Sequence, residues 1–139
     1  MRKTTLPLAG MLLCALLVPA AAQDMLTAPP GGDYQKVSDL VPLPEFVPGL
    51  GILYVQPATL PAGPFLGYDR DGKLVNTVYM VPVEDLEAQK EFALQATAAP
   101  VDHVDLTFNA GHPGVEAPHY HIVLWHVGAD EAEAIEQAQ

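Results

Sequence analysis

The chain has 139 residues, half of them hydrophobic, with 17 acidic against six basic side chains and a formal net charge of −11. A surface this acidic repels phosphate backbones, which argues against nucleic acid as a partner and leaves cations as natural counter-charges. A single cysteine excludes an internal disulfide framework.

Residues 1–22 carry the features of a cleaved secretory signal. Arg2 and Lys3 give a positive start, Leu6 to Val18 an apolar run too short to span a bilayer, and Ala20, Ala21 and Ala22 the small residues a signal peptidase reads. A lipoprotein reading would use Cys14 as the anchor, but Leu13 stands before it where that processing takes a small residue. The expectation is a secreted or periplasmic protein starting near Gln23, with no membrane insertion after signal removal. Processing takes away the only cysteine and leaves about 117 residues. Lys36, Arg70, Lys73 and Lys90 then face all 17 acidic residues, a net charge of −13. That length suits one domain with one core, held by packing alone or helped by oligomerisation or a metal.

Residues 23–64 are proline-rich (Pro29, Pro30, Pro42, Pro44, Pro48, Pro57, Pro61, Pro64) yet apolar at Leu40, Val41, Leu43, Phe46, Val47 and Leu50. Proline rules out a long helix or a central strand, and the apolar content rules out a solvated tail. The expectation is an ordered, extended arm wrapping its own domain or a neighbouring subunit, with one strand at Gly51 to Gln56. Residues 65–139 read as an α+β domain. Phe65 to Tyr68, the turn Asp69-Arg70-Asp71-Gly72 and Lys73 to Val81 form a hairpin whose second strand is apolar on both faces and so central. Asp69 and Asp71 lack the other ligands of a calcium loop and read as turn residues. A helix is expected from Glu84 to about Ala96, with acidic residues in its first turn and a modest stripe of Leu86, Ala93, Leu94 and Thr97.

All five histidines fall between His103 and His126. Asp102 to Asn109 alternates, with Val104, Leu106 and Phe108 on one face and His103, Asp105, Thr107 and Asn109 on the other. After the loop from Ala110 to Pro118, a second strand runs from His119 to Val127. Gly128 breaks it, and Asp130 with Glu133 resembles a capping box for a short terminal helix. If Asn109 pairs with His119, then His119, His121, Asp105 and His103 share a face, with His112 and Glu116 overhanging from the loop. A slip of one residue would part them. His126 lies on the opposite face, as a core or interface histidine, and Trp125 reads as core.

His-x-His on a strand offers two imidazoles to one divalent ion, and zinc, copper, nickel and iron all accept such ligands. The candidate metal ligands are His119, His121, His112 and Glu116, with zinc or copper as the candidate ion. The competing reading makes the paired histidines polar residues bonded to Asp105 and to backbone. No serine or threonine sits in a nucleophile context, so a catalytic triad is not supported.

The run Gly111-His112-Pro113-Gly114-Val115 followed by Pro118-His119-Tyr120-His121 resembles a family of small exported bacterial proteins of unknown function, typified by a Thermus protein under sigma-E control. The resemblance extends from about Gly51 to Val127, and only the loop-strand motif is specific. Relatives carry an aspartate where this chain has His121 and a further histidine where it has Val123, so their ligand set does not transfer whole. The resemblance implies an α+β homo-oligomer that could close into a ring, with no established catalysis. A weaker resemblance is to cupins through Pro118-His119-Tyr120-His121, without the glutamate that follows the histidines there. Three readings stay open: an exported metal-binding homo-oligomer, a cupin-type metalloenzyme with an open coordination site, and a structural or stress-response oligomer without metal. A convergent apolar pocket would mark the enzyme.

Overall fold

The computed structural model describes residues 25–97 and 99–137. The expected signal, Cys14 included, lies outside the described residues. In chain order the elements are β1 (Gln35–Lys36), α1 (Val37–Leu40), β2 (Phe46–Val47), β3 (Gly51–Val55), β4 (Phe65–Tyr68), β5 (Leu74–Pro82), α2 (Val83–Glu87), β6 (His103–Asn109), β7 (His119–Trp125) and α3 (Ala129–Gln137). All strands join one antiparallel sheet in the order β1-β3-β4-β5-β7-β6, with β2 also pairing β3.

The turn between β4 and β5 follows from its residues. Asp69 accepts the backbone N–H groups of Asp71 and Lys73 at 2.9 and 2.8 Å, and Gly72 takes φ +81. A side chain that mimics a backbone turn closes the loop. β5 is buried along nearly its whole length, as its two apolar faces require of a central strand. One face carries the row Val55, Phe65, Val78 and Val123, each paired with the next across β3, β4, β5 and β7. All four are at most 4% exposed, and each contributes roughly 1.5–3 kcal/mol by leaving water. The other face holds a smaller cluster of Leu66, Tyr68, Leu74 and Ala99.

The proline-rich residues supply more pairing than the single expected strand. β3 is that strand, and β1 and β2 lie antiparallel along it. Val41, Leu43, Phe46, Val47 and Leu50 pack on the main core. The Asn76 side chain donates to the Leu50 carbonyl at 2.9 Å, and a Cβ on Gly67 would overlap that side chain. Glycine at 67 thus leaves room for the bond that ties the arm to the sheet.

Two expectations need correction. The helix from Glu84 to about Ala96 is only α2, which ends before Gln89 at φ +57. Leu86 and Leu94 are 48% and 38% exposed, so the stripe finds nothing to pack on and a longer helix gains no tertiary support. The terminal helix begins at Ala129, with the Gly128 carbonyl accepting from Glu131 and Ala132, so Asp130 sits inside the first turn instead of capping it. The antiparallel sheet of the α+β expectation is present, but the described helices are short and the fold is mostly β.

Candidate metal centre

β6 and β7 pair in the register that brings the histidines together: Asn109 with His119, Thr107 with His121, Asp105 with Val123, His103 with Trp125. Along β7 burial alternates strictly, so His119, His121, Val123 and Trp125 all face inward. On the other side of β7, His121 pairs with Met80 and His119 with Pro82. His119 is fully buried and His121 is 9% exposed.

The loop brings in the third imidazole by turning back on itself. His112 and Val115 exchange both backbone hydrogen bonds at 3.0 Å around Pro113 and Gly114. The Asn109 side chain accepts the Gly111 N–H at 2.8 Å. Gly111 at φ +128 lies so close to the Glu116 carbonyl that a Cβ would overlap it. Gly114, at φ +91, lets the turn press against the Val41 side chain of the arm. His112 is therefore held over His119 and His121.

The three Nε2 atoms converge. His119 Nε2 lies 3.2 Å from His112 Nε2 and 3.0 Å from His121 Nε2. The outer nitrogens show which tautomers are present. His119 Nδ1–H donates to the Ala117 carbonyl at 2.7 Å, and His112 Nδ1–H to the Pro113 carbonyl at 3.0 Å. With both Nδ1 hydrogens so placed, the neutral forms of the two rings present bare Nε2 lone pairs to each other. Lone pairs facing at such a distance repel unless a cation or proton lies between them. Two imidazole nitrogens on one tetrahedral zinc at about 2.0–2.1 Å stand roughly 3.3 Å apart, close to the separations here. Carbonyl partners on the outer nitrogens are also what a metal-binding histidine uses to fix its ring. The three residues form the one group of potential ligand atoms close enough for a shared ion among the described residues.

Burial, and then the positive charge that His119 and His112 could carry, push His121 down to about 4. That imidazole stays neutral, and able to ligate, far below the pH at which an exposed histidine is protonated.

The remaining candidates are placed elsewhere. Glu116 is exposed and outside the cluster. His103 pairs with Asp102 at 2.9 Å and stacks on Trp125, while Asp105 accepts the Trp125 indole N–H at 2.8 Å. His126 is a structural pin: its Nδ1–H donates to the Pro100 carbonyl and its Nε2 accepts from the Thr77 hydroxyl, both at 2.8 Å. Trp125 is core, at 2% exposure. Sequence reasoning missed what lies beside the cluster. His112 and His121 line a cavity of about 440 Å³ together with Asp105, Thr107 and Asn109 of β6, and its other walls are mostly apolar residues of the sheet face and the arm. Those walls come from residues far apart in sequence, and no local motif announces them.

Comparison with solved structures places the chain beside hypothetical protein TTHB210 from Thermus thermophilus. The two are 42% identical over 70% of this chain and 90% of that one, with a TM-score of 0.59. The chain belongs to the same family as this Thermus protein. No protein-family model matches it, and neither does any curated protein. The Thermus relative is itself described as hypothetical, so the kinship brings a fold and no activity.

Proposed function

We propose that this is an exported, homo-oligomeric protein that binds one divalent transition metal ion, zinc or copper, through Nε2 of His112, His119 and His121. The observation that carries the reading is the 3.2 Å approach of the His112 and His119 Nε2 atoms, with both outer Nδ1–H groups held by carbonyls. Three neutral nitrogen ligands satisfy either ion and leave one position for water or another ligand. Calorimetric titration of the purified protein with zinc and with copper at about pH 7.5 tests it, since imidazoles there are mostly unprotonated. The expected result is one ion per chain. The double substitution His119→Ala with His121→Ala abolishes stoichiometric binding, and His103→Ala, outside the cluster, leaves it in place. Equal binding by wild type and double variant, or none by either, contradicts the proposal.

The cavity favours the cupin-type alternative over a purely structural oligomer, because an open metal position beside an apolar pocket is what a metalloenzyme needs. Assembly has support of its own. Val104, Leu106 and Phe108 are 56%, 65% and 59% exposed on β6, which ends the sheet and, among the described residues, has no partner on its outer edge. Such a strand is normally covered. Val41, Leu43, Phe46, Val47 and Leu50 of the arm already pack on their own core, while Leu40 and Leu60 stay exposed, so β6 with its three adjacent apolar side chains is the stronger reason to expect self-association. Export rests on the pattern of residues 1–22. Native and denaturing mass spectrometry of the exported protein reads both: the subunit should begin near Gln23, and the native mass should be a multiple of it. A monomer, or an intact N-terminus, counts against the corresponding part.

A further inference from the structure

Resting on that metal site, a second component can be read from the cavity beside it. Val55, Phe65, Val78, Met80 and Val123 form its floor on the sheet, and Leu43 of the arm lies among its opposing walls. Its polar lining is concentrated near the metal cluster, where His112 and His121 meet Asp105, Thr107 and Asn109 of β6. Asp105 and Thr107 are exposed, which sets an opening along the β6 edge. At about 440 Å³ the cavity falls at the small end of the range that encloses drug-sized molecules.

The charge balance selects the kind of molecule. Three neutral imidazoles leave a bound divalent ion with its full positive charge in a mostly buried place, which is costly unless an anion joins it. The carboxylates of Asp105, which accepts the Trp125 indole N–H, and of exposed Glu116 both lie outside the cluster of ligand atoms. The missing charge therefore has to come from a ligand, through the position that three protein donors leave open. An apolar chamber next to that position admits a hydrocarbon body and offers little to a sugar or a polyanion. We infer that the metal centre and the cavity together bind a small monocarboxylate with an apolar body, its carboxylate on the ion and its hydrocarbon part between the sheet and Leu43.

Octanoate is the probe. Titrated calorimetrically into the zinc-loaded protein, it should bind once per chain. Binding should weaken about tenfold or more, over 1.4 kcal/mol, when the metal is removed by a chelator or octanoate is replaced by 1-octanol. Leu43→Trp, which fills the cavity from the arm, should keep zinc binding and lose octanoate by a similar factor. If that variant does not fold, methyl spectra of the wild type decide: octanoate should shift the Val78 and Val123 methyl resonances, and shifts confined to surface residues overturn the inference. Equal octanoate binding with and without zinc, or stoichiometric zinc with no octanoate binding, overturns this inference alone. Failure of zinc itself to bind overturns the metal reading and this one with it.

Discussion

Saturating zinc should raise the unfolding temperature of this protein by on the order of 10–20 °C, and a chelator should return it to the lower value. A ligand that binds only the folded state adds about 4 kcal/mol when present at a thousand times its dissociation constant. In a domain of this size each kcal/mol moves the midpoint by several degrees. The three rings are already held together by β7 and by the His112 turn, so little of the binding energy is spent on ordering them. The informative variant is His112→Ala. His112 is only half-buried on a loop, so the metal-free protein should lose little stability. Most of the zinc-induced rise should vanish with it, since two imidazoles hold an ion far more weakly than three. A rise of the same size in His112→Ala would mean that zinc stabilises the fold from somewhere else.

The second large effect is acid sensitivity of the metal-free protein. His121 is pushed down to about 4 in the folded state, against about 6.5 for a free imidazole, chiefly by burial and then by His119 and His112. On acidification the unfolded chain therefore takes up this proton before the folded one does, and stability falls as pH falls. The contribution is fully present above about 6.5 and is lost as pH drops through about 4. Two and a half pH units correspond to roughly 3 kcal/mol if the whole shift is realised. Chemical denaturation in chelator across that range measures it. His121→Gln should flatten the profile in this window, because glutamine carries no titrating group. Wild type and His121→Gln with parallel profiles would show that His121 is not the origin of the slope.

Much of the site could be read in the sequence because period two is a strict geometric rule. Alternation along β6 and the paired histidines of β7 leave one useful register, and that register is the one found. His112 was harder to place, because its position depends on Gly111 and Gly114 bending a loop against Glu116 and Val41. The same alternation hid a reversal. Val104, Leu106 and Phe108 form the apolar face of β6, yet they point outward, while the polar set of Asp105, Thr107 and Asn109 lines the cavity. Periodicity separates two faces without saying which one is inside, and at the end of a sheet the core cannot decide it. The overlong helix failed for a related reason, since Leu86 and Leu94 make a stripe only if something covers them. The arm's strands were missed because each is two residues long and exists only through pairing with β3.

The central claim is that three Nε2 atoms share one ion, and anomalous diffraction from crystals grown with zinc tests it most directly. Data collected just above and just below the zinc absorption edge should give a difference peak about 2.0–2.1 Å from Nε2 of His112, His119 and His121 in every chain. Peaks confined to surface carboxylates, with the three imidazoles bonded only to one another and to backbone, would contradict the account.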